Sequence, residues 1–283
     1  MKSKILIPTD FSLNAWNAIQ YALKLYKNKE CDFHILNTYS SSVPSKKDLV
    51  AAKADELSFQ NEKTKSAKGL EEVLEKIQST FNNEKHSFTT VSLQDDLLSA
   101  MKTIVEKRDI ELVIMGTKGA SNYRATVLGS NTINTMENLR VCPIVGVPYD
   151  AEEVSIKQII FPTSFKTHYK RKELNHLVEL AVLQAANICV LHVSSKENLS
   201  LNQKENKELL KECLEGASFT FQEVESSHVA DGIRKFVSKN DSDMIAFVNR
   251  KHSFFSTIFN KPLVQDLGML SELPLFVMHD LRN

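Results

Sequence analysis

The chain has 283 residues, enough for one large α/β domain or two ordinary ones of about 100–150 residues each. Hydrophobic residues make up 42% and charged residues 25%, ordinary globular usage that excludes a fibrous or disordered chain. Lys plus Arg and Asp plus Glu balance at 35 each, so no overall field gathers nucleic acid or an anionic membrane, and neither is expected as a partner.

The chain opens with Met-Lys-Ser-Lys and a short apolar run, Ile5, Leu6 and Ile7, that stops at Pro8. That run is shorter than the roughly 7–15 residues of a signal core, and no stretch reaches the ~18 apolar residues of a membrane span, so a cytoplasmic location is expected. Short β-like runs at 4–8, 33–38, 87–93, 110–115 and 143–147 alternate with helix-period segments at about 13–28, 46–81, 96–108 and 130–139. This alternation predicts a parallel sheet with helices on both faces. Asp95 or Asp96 is placed to cap the third helix, and the Lys- and Glu-rich second segment reads as a cover helix with a long solvated face.

Beyond residue 150 the pattern begins again. Residues 5–12 (ILIPTDFS) recur at 159–166 (IIFPTSFK), 111–115 (ELVIM) at 243–247 (DMIAF), and 141–147 (VCPIVGV) at 272–278 (ELPLFVM). Three matches in one order imply a duplicated unit, divided as 1–150 and 154–283 where Pro148, Tyr149 and the Glu152-Glu153 pair interrupt two apolar runs. Strands are expected near 157–161, 188–193, 218–224, 243–248 and 274–278, with a shorter second helix around 201–215 and Ser227 as cap of the helix at Val229. Lys166, Lys170, Arg171 and Lys172 read as a solvated helix start. Cys31, Cys142, Cys189 and Cys213 are widely spaced beside apolar sequence and read as buried, reduced thiols.

In an open parallel sheet, ligands lie beyond the carboxyl ends of the strands where the winding reverses. The two loops there read Pro8-Thr9-Asp10-Phe11-Ser12 and Met115-Gly116-Thr117-Lys118-Gly119, the latter followed nine residues later by Gly129-Ser130-Asn131-Thr132. In this G-x2-G-x9-G-[ST] pattern, Gly116 and Gly119 are expected to turn with φ > 0 and let main chain approach a ligand. Gly129 and Ser130 open a helix whose free N–H groups attract phosphate, with a hydroxyl of Ser130 or Thr132 as a further donor. Asp10 also reads as a helix cap, and Lys118 as a solvated loop charge.

The ILIPTDFS start, the MGTKG and LGSNT segments and the closing VCPIVGVP resemble the signature elements of the universal stress protein family, over the full length of each half. The resemblance implies an adenine nucleotide alpha hydrolase-like fold: two tandem doubly wound domains, each a five-stranded parallel sheet of order 3-2-1-4-5. It also implies ATP as ligand, with Mg²⁺ as an accompanying ion. Pro8, Thr9 and Asp10 would line the base and ribose side, the backbone of Thr38 would meet the adenine edge, and Met115 would pack near the sugar. Gly116, Lys118, Gly119, Gly129, Ser130, Asn131 and Thr132 would surround ribose and phosphates. Asn37 stands where the family often has His, and Asn131 where an apolar residue is common.

At the matching positions the second half reads Val248-Asn249-Arg250-Lys251-His252 and then Phe259-Asn260-Lys261-Pro262, and Asp10 corresponds to Ser164. No glycine remains, so ATP binding in the family's manner is not expected there. Phe254, Phe255, Ile258 and Phe259 form an apolar cluster, read as interface packing or a small-ligand site; His192 and His252 lack a third metal ligand at recognisable spacing.

The reading that follows is an ATP-binding stress-response module rather than an enzyme. A slow ATPase or nucleotidyl-transfer enzyme and a non-nucleotide scaffold with a ligand site in the second unit stand as alternatives. The two units should associate through their last strands, 143–147 and 274–278, as an internal pseudo-dimer; a homodimer of whole chains is compatible with this, and protein partners are not specified.

Overall fold

The computed structural model describes residues 2–40, 49–118, 128–151, 154–195, 198–250 and 272–280, with 49–58 described as helical backbone only. In chain order these form β1 (Ser3–Pro8), α1 (Leu13–Leu25), β2 (Cys31–Tyr39), α2 (Leu49–Thr80), β3 (His86–Gln94), α3 (Leu97–Arg108), β4 (Leu112–Gly116), α4 (Ser130–Asn138) and β5 (Ile144–Val147). The second series is β6 (Gln158–Pro162), α5 (Arg171–Gln184), β7 (Asn187–Ser194), α6 (Leu201–Cys213), β8 (Ser218–Glu225), α7 (Val229–Val237), β9 (Met244–Asn249) and β10 (Leu275–His279).

The ten strands of the described residues join one sheet of order β3-β2-β1-β4-β5-β10-β9-β6-β7-β8. The first five pair in parallel in the order 3-2-1-4-5, the last five repeat that order, and β5 meets β10 antiparallel through Val145 and Phe276. The β5–β10 junction gives each of these strands a partner, so neither remains an open edge.

The continuous apolar run of β1 follows from its position between β2 and β4 with helices on both faces. Ile5 and Ile7 pack into the core under α1 and α2, while Leu6 points into the core under α3 and α4. The counterparts behave alike: Ile159 and Phe161 join the first core and Ile160 the second. From residue 59 onward α2 buries Leu70 and Ile77 and leaves most of its charged positions in solvent.

Local chemistry sets the helix starts. Ser12 caps α1 by accepting from Ala15 N (3.2 Å), and Asp96 caps α3 by accepting from Ser99 N (3.1 Å). The expected cap at Ser227 is not formed: His228 holds the cap position of α7 without a side-chain cap bond. Ser226 instead forms a local loop with His228, its Oγ accepting from His228 N (3.2 Å) and donating to His228 O (2.8 Å). All four cysteines are buried free thiols.

Candidate functional site

The carboxyl ends of β1, β2 and β4 and the start of α4 enclose a cavity of about 260 Å³. Pro8, Thr9 and Asp10 line one side, Thr38 the edge beyond β2, and Met115, Gly116 and Lys118 the end of β4. Gly129, Ser130, Asn131 and Thr132 line the α4 side. Eleven of the twelve residues expected from sequence therefore face one space, and the twelfth, Gly119, lies outside the described residues.

The first wall is a stiff turn. Thr9 N donates to Leu36 O (2.8 Å), extending the β1–β2 ladder by one residue, and Asn37 Nδ2 donates to Thr9 O (2.7 Å). Thr9 Oγ1 accepts from Phe11 N (3.0 Å), which helps hold Phe11 at φ 65°, a conformation uncommon outside glycine. That turn lays the Phe11 ring on α2, where a Cβ on Gly69 would stand 2.5 Å from ring atom Cζ. Asp10 Oδ1 accepts from Ser12 N (3.0 Å), so Asp10 braces the turn while Ser12 does the capping.

The second wall depends on a residue that the sequence reading passed over. Asn14, 1% exposed, donates through Nδ2 to Val147 O (3.3 Å) and accepts at Oδ1 from Lys118 N (2.7 Å). It ties α1 to β5 and to the loop after β4. A Cβ on Gly116 would lie 2.5 Å from Asn14 Oδ1. Gly116 therefore owes its identity to this close approach, and the expected positive φ is not found there. The sequence did carry a signal: Asn14 is a polar residue beside Ala15, Ala18, Ile19 and Ala22 on the buried face of α1.

The α4 side is polar main chain. Gly129 is the cap residue, makes no side-chain cap bond, and no acidic residue occupies the first turn. The N–H groups at such a start have no partner within the helix and carry its positive dipole end. Thr132 donates its hydroxyl to Gly116 O (3.1 Å), so Ser130 is the remaining hydroxyl donor of the pair. At its far end α4 is fastened to the second half. Asn249 Nδ2 donates to Met136 O (3.0 Å), and Arg140 donates to Asn249 O (3.0 Å) and pairs with Asp280.

The second half repeats the first turn with different neighbours. Thr163 N donates to Leu191 O (2.9 Å), Thr163 Oγ1 accepts from Phe165 N (3.2 Å), and Phe165 again has positive φ, 54°. His192, the counterpart of Asn37, contacts Thr163 O through Nδ1 (2.9 Å). Strand register places Val248 opposite Gly116 in the repeat, and Arg250 takes the place of Lys118. Arg250 donates to His168 O (3.0 Å), stands 3.5 Å from the buried Glu173 carboxylate and stacks over Tyr169 at 4.7 Å. The apolar cluster at 254–259 and His252 lie outside the described residues. Among the described residues no group of three His, Cys, Asp or Glu side chains is arranged to hold a metal, and no helix is long and apolar enough to cross a membrane.

The fold and cavity define an open-sheet α/β protein with its crevice at the point where strand order reverses. The chain belongs to the universal stress protein family, whose family model matches residues 1–147. No curated protein sequence matches it. Its fold is similar to that of a universal stress protein from Archaeoglobus fulgidus DSM 4304, with TM-score 0.70 and 16% identity over 97% of both chains. A putative universal stress protein from Pseudomonas aeruginosa UCBPP-PA14 is similar at TM-score 0.60 and 14% identity, covering 98% of this chain and 93% of that one. The cytoplasmic domain of a prokaryotic cation chloride cotransporter also shares the fold, at TM-score 0.57 and 10% identity over 99% and 96%. These likenesses show architecture alone, and the last shows it serving a protein of a different kind.

Proposed function

We propose that this protein is an ATP-binding regulatory module of the cytoplasm, built as two tandem domains, 1–150 and 154–283, with the nucleotide held by the first. The observation that carries this reading is the convergence of Asp10, Lys118 and the uncapped start of α4 on one cavity edged by Gly116. Pro8, Thr9 and Asp10 would take base and ribose, Thr38 main chain the adenine edge, and Met115 the sugar. The amides at Gly129, Ser130 and Asn131, with Lys118, would meet the phosphates. Asp10 is the one carboxylate among the described lining residues, so Mg²⁺ would be held chiefly by phosphate oxygens and water.

The described carboxylate of the lining, Asp10, accepts from Ser12 N in bracing its own turn, which favours ATP as a bound signal over ATP as a substrate. The β5–β10 pairing supports an internal pseudo-dimer as the working unit. Micromolar binding requires about 8 kcal/mol, within reach of several charge-assisted bonds of roughly 1.5–3 kcal/mol each plus adenine burial. Titration calorimetry with ATP and Mg²⁺ tests this: micromolar affinity is expected for the intact chain and strong weakening in Gly116→Val. Flat heats at about 1 mM ATP would remove ATP as the ligand.

A further inference from the structure

The second half holds a larger cleft, about 580 Å³, whose position differs from that of the first cavity. The first lies over the ends of β1, β2 and β4 beside the start of α4. The second opens over the ends of β6, β7 and β8, and no residue of β9 is among its described lining. Two changes account for the shift. Val248 stands where Gly116 let the main chain lie bare, and the link from β6 to α5 is longer than that from β1 to α1, carrying Lys166 and Thr167 into the wall. On the other side Gly232 lets α7 sit directly on β7, since a Cβ there would come within 2.4 Å of Val193 Cγ1. That packing brings the start of α7, with Ser226 and Ser227, to the rim.

The described lining has a definite chemistry. Five serines and two threonines contribute hydroxyls, Asn198 and Gln203 contribute amides, and Pro162, Val193, Leu199 and Val229 make an apolar strip. Lys166 is the one Lys or Arg, and no carboxylate is among them. Acidic residues of the first half lack acidic counterparts here. Asp10 has become Ser164, and the α3 cap Asp96 has become His228, which caps α7 with no side-chain bond. Asp231, in the first turn of α7, is bonded to Arg234 (3.0 Å) and does not line the cleft.

We infer that this cleft is a second ligand site for a small, multiply hydroxylated ligand with one anionic group, of the sugar-phosphate or sugar-acid class. The apolar strip takes the C–H face of the sugar, the Ser195 and Thr167 hydroxyls and the Asn198 amide take its hydroxyls, and Lys166 with the Ser227 end takes the single anionic group, while Ser226, Gln203 and Thr163 are held by bonds within the fold. The volume lies within the range of about 300–1,000 Å³ usual for small-molecule sites. The inference stands independently of ATP binding by the first half.

Calorimetry on the full chain with ribose 5-phosphate, gluconate and ribose, in parallel with an ATP titration, tests it. Ribose 5-phosphate or gluconate should bind with a dissociation constant below about 1 mM, and ribose about 10-fold more weakly. Which of the two acids binds tighter identifies the anionic group. Lys166→Glu and Ser227→Asp, both at exposed positions, should weaken the bound acid about 10-fold while leaving the ATP response as in the parent chain. Circular dichroism shows that the variants are folded. Absence of acid binding at about 10 mM, ribose binding equal to that of ribose 5-phosphate, or affinity unmoved by both substitutions overturns the assignment.

Discussion

Replacing Gly116 with Ala tests the contact that shapes the first cavity. The new Cβ would lie 2.5 Å from Asn14 Oδ1, 2.8 Å from its Cγ and 3.0 Å from its backbone oxygen, so the Asn14 side chain must leave. Its departure removes the bonds to Lys118 N and Val147 O, each worth about 1 kcal/mol net. Val147 O keeps a donor in Thr117 N (2.9 Å), which limits the desolvation cost at that end. Rearrangement around a new methyl group in a packed site adds about 1 kcal/mol, for a total near 3 kcal/mol. Urea denaturation of the parent, Gly116→Ala, Asn14→Ala and the double variant forms a cycle. Asn14→Ala alone should cost about 2 kcal/mol, and the double variant should cost about 2 kcal/mol less than the sum of the singles. The backbone oxygen at 3.0 Å accounts for what remains. Additivity within about 0.5 kcal/mol would refute the claim that Asn14 is why this position is glycine.

His279 is 5% exposed with both ring nitrogens unpaired, and burial, assisted by the Arg140 charge and opposed by Asp280, lowers its pKa to about 4. The unfolded chain takes up this proton below pH ~6.5 and the folded chain does not. Stability should therefore fall by about 3 kcal/mol as pH drops from 7 toward 4, and His279→Phe should flatten the slope; parallel slopes would contradict the assignment. Arg140→Ala leaves the Asp280 carboxylate, 11% exposed, without its partner and frees Asn249 O, at a cost of about 3 kcal/mol in urea denaturation. A loss under about 0.5 kcal/mol would show that α4 is not anchored through this pair. Burial pushes the thiols of Cys31 and Cys142 up to about 12 and that of Cys189 to about 11, and raises that of Cys213. A thiol-reactive disulfide should label all four only after denaturation, and rapid labelling of the native chain would locate an accessible cysteine.

Features carried by neighbouring residues were legible in the sequence. The strands lie where short β-like runs predict them; the inner ones read as continuous apolar runs because they are covered on both faces, whereas edge strands β3 and β8 are mixed in polarity and largely unburied. The α3 cap was narrowed to Asp95 or Asp96, since a cap acts on an amide three residues away. Strong constraints on main chain also show through: the glycines and the Pro-Thr-x-Phe turn stand out because few residues can replace them. At α7 even the local rule failed, because Ser226 turned back onto His228 and left Ser227 without a capping role.

What the tertiary structure alone decided is where distant segments touch. Gly116 and Asn14 lie a hundred residues apart in the chain, so the pattern of glycines marks a special position without saying that a side chain from α1 imposes it. The loss of glycines in the second half reads from sequence as the loss of ATP binding in the family's manner. The fold adds a cleft over the ends of β6 and β7, walled by the longer link after β6 and by the start of α7, which Gly232 seats on β7. Composition and periodicity report each residue's own neighbourhood; cavity shape depends on how separate elements come to rest against one another.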